Sequence, residues 1–153
     1  MKKKTLVSAI QPSGKLHLGN YLGAIQPALE LAEKYQARYF IADYHALNTI
    51  RDPKMLSDLT YEVAAAWLAC GLDPENALFY RQSDVPETFE LNVILTAFTA
   101  KGMMNRAHAY KAMVQSNAAQ GKEADIDVNM GLYTYPLLMA ADILLFDADV
   151  VPV

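Results

Sequence analysis

Thr5-Leu6-Val7-Ser8-Ala9-Ile10-Gln11-Pro12-Ser13-Gly14 decides the fold class. A short, largely apolar run that breaks at once into a Pro-Ser-Gly turn reads as a buried strand. The period then changes: Leu22, Ile25, Leu29 and Ala32 recur at helical spacing, predicting a helix from about Gly19 to Tyr35. Pro27 inside it predicts a kink or a late helix start. The alternation continues with a strand over Arg38 to Asp43. Asp52-Pro53 then caps a helix that carries Leu56, Leu59, Val63, Ala66 and Trp67 and stops at Gly71. A third strand covers Ala77 to Gln82, and Pro86 opens a helix through Phe89, Val93, Ile94 and Ala97. The polar stretch Ser116 to Asp127 reads as a mobile loop, Tyr135 to Phe146 as an apolar helix, and Val150 to Val153 as the start of a strand. Strands alternating with helices imply right-handed crossovers, hence a doubly wound α/β fold with a parallel sheet. In such a fold the ligand lies at the carboxyl ends of the strands.

The 153 residues are 53% hydrophobic and 20% charged, enough for one domain with a real core. No apolar run reaches the roughly 18–20 residues of a membrane helix, so no membrane partner is expected. Lys2, Lys3 and Lys4 precede only Leu6 to Ile10, too short for a secretory leader. The single cysteine excludes an internal disulfide and a multi-cysteine zinc site, and it suits a reducing compartment. With 13 basic and 17 acidic side chains the net charge is −4, so any nucleic-acid contact must be local.

Gly14-Lys15 does not end a phosphate-binding P-loop, because Ala9 stands where its first glycine belongs and Leu16 where Ser or Thr should be. The histidines lack metal-ligand spacing, and Glu123, Asp125 and Asp127 lack the glycine and closing glutamate of a calcium loop, so no protein-bound metal is expected. The segment from Gln11 to Gly23 is more informative. It puts His17, Gly19 and Asn20 at a helix start beside a strand end, where free N–H groups attract phosphate. An ordinary strand–turn–helix with packing glycines fits the same residues. His45, after the second strand, suits either a ligand contact or a structural hydrogen bond. Arg106, His108 and Lys111 form a basic patch that a solvated helix face also explains. Asp142 lies within Leu137-Leu138-Met139-Ala140-Ala141-Asp142-Ile143-Leu144-Leu145-Phe146. Burying its carboxylate there costs several kcal/mol unless it is paired. The partner is a protein donor or a ligand N–H or O–H, and Met139, one turn back, would line the same pocket.

Gln11-Pro12-Ser13-Gly14 with His17-Leu18-Gly19-Asn20 resembles the first signature of class I aminoacyl-tRNA synthetases, written HIGH, in its tryptophanyl/tyrosyl form. The run Tyr133-Thr134-Tyr135-Pro136-Leu137-Leu138-Met139-Ala140-Ala141-Asp142-Ile143-Leu144 with Val151-Pro152-Val153 looks like the bacterial-type tryptophanyl-tRNA synthetases. Asp43-Tyr44-His45-Ala46 and Ala69-Cys70-Gly71-Leu72-Asp73-Pro74 fit the same family. The resemblance covers essentially the whole chain. It implies a Rossmann-like catalytic domain over residues 1–153 that activates L-tryptophan with ATP to tryptophanyl-adenylate and passes it to tRNA(Trp). Mg2+ would accompany the ATP. Matched by position, Gln11, Pro12, Ser13, Gly19 and Asn20 would contact ATP, and His17, Asn20 and Lys111 would serve the chemistry. Asp142 would accept the indole N–H, with Met139, Val7, His45, Val151 and Val153 around the ring. The family also implies a homodimer in the cytoplasm.

The resemblance is to roughly the first half of such an enzyme. The chain is expected to lack the Gly-Glu-Asp-Gln type segment, the KMSKS loop and the helical domain that reads the anticodon, and so to be poorly active alone. It departs from many bacterial relatives at Val7, where they carry an aromatic residue, at His17, where they carry Thr, and at Met113, where a second basic residue is common. Tyrosyl-tRNA synthetase, which shares the Pro-Ser-Gly-Lys-x-His-x-Gly opening, is the nearest rival. A phosphopantetheine-type nucleotidyltransferase would need a second histidine where Asn20 stands. A non-catalytic binding or dimerisation module derived from a synthetase is the reading from a different class.

Overall fold

β1 (Thr5–Ile10) pairs in parallel with β2 (Gln36–Ile41), which pairs in parallel with β3 (Leu78–Arg81). The structure, a computed structural model, describes residues 3–152. On the free side of β1, Val150 forms a parallel bridge with Leu6: the Val7 N–H donates to the Val150 carbonyl at 3.0 Å and the Val150 N–H to the Thr5 carbonyl at 3.1 Å. β1 therefore sits between its successor β2 and a segment more than 100 residues later, which makes its carboxyl end the point where strand order reverses. The parallel doubly wound α/β reading holds. The fourth strand expected over Val150 to Val153 is only this bridge among the described residues, and Val153 lies outside them.

Alternation along the strands gives the sheet two different faces. Leu6, Ile10, Ala37, Tyr39 and Ile41 point to one side and pack with Phe79 against α2 (Gln26–Lys34) and α4 (Pro53–Ala69), which contribute Ala28, Val63 and Trp67. Burial pushes the Tyr39 phenol up to about 12, and its hydroxyl donates to the Ala28 carbonyl at 2.6 Å. Val7, Phe40 and Ala42 point to the other side, against Tyr80, Phe146 and Ala148. The cavity described below opens on this second face.

Between β1 and β2 the chain forms α1 (Leu18–Asn20), a π-turn (Tyr21–Ile25) and then α2. Proline has no N–H to continue an α-helical ladder, so regular α-helix resumes only with Pro27 in its first turn. The short α3 (Asp43–Ala46) follows β2, and a 3-10 turn (Gln82–Asp84) follows β3. Next come α5 (Glu87–Phe98), α6 (Lys101–Met104), α7 (His108–Ala119) and α8 (Met130–Leu144), with α8 packed along α5.

Two boundaries differ from the sequence reading for identifiable reasons. α8 begins at Met130 because Asn129 Oδ1 accepts the Leu132 N–H at 2.8 Å, and Pro136 falls inside the helix without ending it. The polar stretch from Ser116 is no loose loop at its start. α7 runs to Ala119, and the buried Asn117 amide donates to the Ala124 and Ile126 carbonyls at 3.0 and 2.7 Å. Asn117→Ala leaves both carbonyls without that donor and is expected to cost about 1–3 kcal/mol. Limited trypsinolysis at Lys122 should accelerate in this variant; unchanged cleavage would show that Asn117 does not hold the turn.

Candidate active site

The turn after β1 is built by its own side chains. Ser13 N–H donates to the Gln11 carbonyl at 2.9 Å, and Pro12 is fully buried. His17 then caps α1. Its Nδ1 accepts the Gly19 N–H at 3.1 Å, while Asn20 Oδ1 accepts the His17 N–H at 3.0 Å, a reciprocal capping box. With Nδ1 used as acceptor, the neutral ring carries its proton on Nε2, which stays free to donate. Gly19 permits this fold-back, because a Cβ there would sit 2.9 Å from His17 Cε1.

Beside this turn, at the carboxyl end of β1 and on the second face of the sheet, is a cavity of about 340 Å³. Its lining comes from five parts of the chain: Val7 and Gln11, Phe40 and Ala42, His45, Tyr135, Met139, Asp142 and Ile143 of α8, and Val151 with Pro152. The lining is mainly apolar with a few converging polar groups, the usual character of a small-ligand site. Gln11 Nε2 reaches toward the His45 carbonyl at 3.4 Å, linking the β1 turn to α3.

Asp142 supplies the cavity's carboxylate and is only 3% exposed. Both of its oxygens have protein partners: Gln82 Nε2 donates to Oδ1 at 2.7 Å, and His45 Nε2 lies 3.0 Å from Oδ2. Of the two partners the sequence left open, protein donors are therefore present. A carboxylate has about four acceptor positions, so two such contacts leave capacity for a ligand N–H. Burial pushes the neighbouring Tyr80 phenol above its ordinary value; the Asp142 charge adds to the rise and Arg38 opposes it. Asp43 ties the ends of β2 and β3 together, accepting the Tyr44 N–H at 3.1 Å, the Ser83 N–H at 3.0 Å and the Ser83 hydroxyl.

The structure thus gathers Val7, Gln11, His45, Met139, Asp142 and Val151 around one cavity. His17, Gly19 and Asn20 form the adjoining helix start and do not line it, and Lys111 is exposed on α7. Val153 lies outside the described residues. Sequence reasoning missed Gln82 and Asp43. Both are polar residues where a strand gives out at the predicted ligand edge, and that position was the available signal.

A parallel sheet with a ligand-sized cavity and a capped helix start at its switch point defines a doubly wound α/β domain with its cavity at the carboxyl ends of the strands. Within that class, the family of class I tRNA synthetases (W and Y) matches residues 1–153, and the chain belongs to it. It is 56% identical over 156 residues to a protein from Neisseria meningitidis named tryptophan–tRNA ligase, a match covering all of this chain and 46% of that relative. The crystal structure of tryptophanyl-tRNA synthetase from Campylobacter jejuni superposes with a TM-score of 0.87 at 45% identity, over 99% of this chain and 45% of that one. The same enzyme complexed with ADP and tryptophan gives 0.84 at 45% identity, over 97% of this chain and 44% of that one. The chain spans less than half the length of each of these relatives.

Proposed function

We propose that this chain is the ATP- and amino-acid-binding part of a tryptophan–tRNA ligase. The observation that carries the reading is Asp142, a buried carboxylate facing an apolar, ring-sized cavity. Its spare acceptor capacity suits an indole N–H, while Val7, Met139 and Val151 offer the apolar contact a bicyclic ring needs. Phenylalanine, with one ring and no N–H, would leave part of the space empty and the acceptor unused, and a site built to hydrogen-bond its substrate rejects a ligand that lacks the donor. The tryptophan–tRNA ligase name of the 56%-identical relative, and tryptophan in the ligand-bound neighbour, favour this amino acid over tyrosine.

In this reading the tryptophan carboxylate attacks the α-phosphorus of ATP, a new P–O bond forms, and pyrophosphate leaves with the electrons of the bond that breaks. The domain's contribution is alignment and stabilisation of charge on the phosphates. Gln11, Ser13, Gly19 and Asn20 contact ATP, the buried Pro12 shapes the turn that presents them, His17 offers Nε2–H to a phosphate oxygen, and Lys111 reaches the phosphates from α7. His45 and Val153 complete the tryptophan side. Mg2+ arrives on the ATP phosphates as part of that substrate. Transfer to tRNA(Trp) belongs to the whole enzyme, in the cytoplasm where translation runs. A second copy of the chain would cover the apolar side of α5, where Val93, Ile94 and Phe98 are exposed, Phe98 to 85%.

Calorimetric titration with tryptophan, tyrosine and phenylalanine in parallel tests the proposal. Selective tryptophan binding is the expected result, accompanied by tryptophan-dependent ATP–pyrophosphate exchange in the natural full-length protein. A preference for tyrosine would move the chain to the sister enzyme. Binding without exchange in the full-length protein would mark a non-catalytic module.

A further inference from the structure

Gln82 is a polar side chain with no access to solvent, placed just past the end of β3. Burying an amide is costly unless its polar atoms are used. Its two ends are used differently. Oε1 accepts the Tyr44 backbone N–H at 3.2 Å, and Nε2 donates to Asp142 Oδ1 at 2.7 Å. The opposite amide orientation would set the Gln82 oxygen against a carboxylate oxygen and its NH2 against a backbone N–H. The Tyr44 contact therefore fixes which way the amide faces, and Gln82 can only donate to Asp142.

His45 Nε2 engages the other oxygen, Oδ2, at 3.0 Å. Two donors on two different oxygens define the plane of a carboxylate that would otherwise turn about a broad, two-fold torsion. Of the two anchors, His45 retains some solvent access, whereas Gln82 is sealed in the core just past the end of β3, where it also holds the Tyr44 backbone of the short α3 that carries His45. We infer that Gln82 is the positioning residue for amino-acid selectivity: by holding Asp142 through a one-way hydrogen bond, it aims the remaining acceptor direction at the ring N–H of the bound amino acid. The inference rests on the tryptophan reading of the cavity and adds to it the residue that makes the acceptor directional. Rigid support of this kind separates a site that discriminates from one that merely contains the right group.

The test compares tryptophan with its benzothienyl analogue, which keeps the bicyclic shape and replaces the indole N–H by sulfur. Both affinities are measured by calorimetry on the natural full-length protein and on Gln82→Met, which preserves length and packing. The parent is expected to prefer tryptophan, and in Gln82→Met that preference should fall about 10-fold, the worth of a well-made hydrogen bond to a charged acceptor. A purely structural role would weaken both ligands equally and leave their ratio unchanged, which would overturn the inference. If Gln82→Met does not fold, Gln82→Asn decides: it keeps a neutral amide but ends one methylene short of Asp142. Loss of preference there supports the positioning role, and a retained preference overturns it. A parent that binds neither ligand overturns the tryptophan reading and this inference with it, a result distinct from a parent that discriminates while its variants do so equally well.

Discussion

Asp142→Ala is expected to lose selection for tryptophan while keeping the fold. Hydrogen bonds to charged acceptors contribute about 1.5–3 kcal/mol, so tryptophan affinity should fall roughly 10- to 150-fold. Phenylalanine makes no such bond and should bind as before or better, since its entry no longer leaves a buried carboxylate unused. The effect on stability follows from the partners left behind. Gln82 is sealed from solvent and would lose its acceptor, at about 1–3 kcal/mol. His45 is partly exposed, so water can replace the contact, and deleting the carboxylate also removes its own desolvation cost. Selectivity should therefore collapse in a protein that still unfolds cooperatively. Parallel titration with tryptophan and phenylalanine, alongside urea denaturation, checks both halves, and unchanged tryptophan affinity would remove Asp142 from the recognition site.

The legible parts of this protein were those governed by local rules. Thr5–Ile10 had to be a strand because it is short, apolar and closed by Pro12 and Gly14; Asp52-Pro53 had to open a helix because side chain and ring both favour that position. Asp142 announced itself because one carboxylate on an otherwise apolar helix needs an explanation anywhere it occurs. What remained hidden depended on partners distant in sequence. Gln82 lies 60 residues from Asp142 and 38 from Tyr44, and it meets both only because β2 and β3 are paired in register and α8 crosses their ends. Asn117 failed to signal for a related reason. Its neighbourhood is polar, and polarity alone cannot distinguish a solvated loop from a turn held by one buried amide. The bridge at Val150 is likewise a product of tertiary pairing, since only its register against Leu6 makes that residue part of the sheet.

Trp67→Ala should have the largest effect on stability and almost none on selectivity. Trp67 is 2% exposed and stacks on Phe79 with ring centroids 5.4 Å apart, while Tyr39 tilts against it at 5.1 Å. Truncating a buried tryptophan to alanine costs about 3–5 kcal/mol, a large share of the 5–15 kcal/mol that holds a typical domain. The melting temperature should drop by roughly 10 °C or more. Trp67→Phe should cost much less, because the indole N–H it deletes is buried without an acceptor among the described residues. Trp67, Tyr39 and Phe79 lie on the face packed by α2 and α4, whereas the cavity is walled by the opposite face, through Val7, Phe40 and Ala42. In the proposed function, alternating side chains would thus place the larger core on one side of a single sheet and recognition on the other, which has a smaller core of its own. The ratio of tryptophan to phenylalanine affinity, measured well below the unfolding transition, should be the same in Trp67→Ala as in the parent. If that ratio shifts with the loss of Trp67, the two faces are mechanically coupled through the strands and the division of labour proposed for them fails.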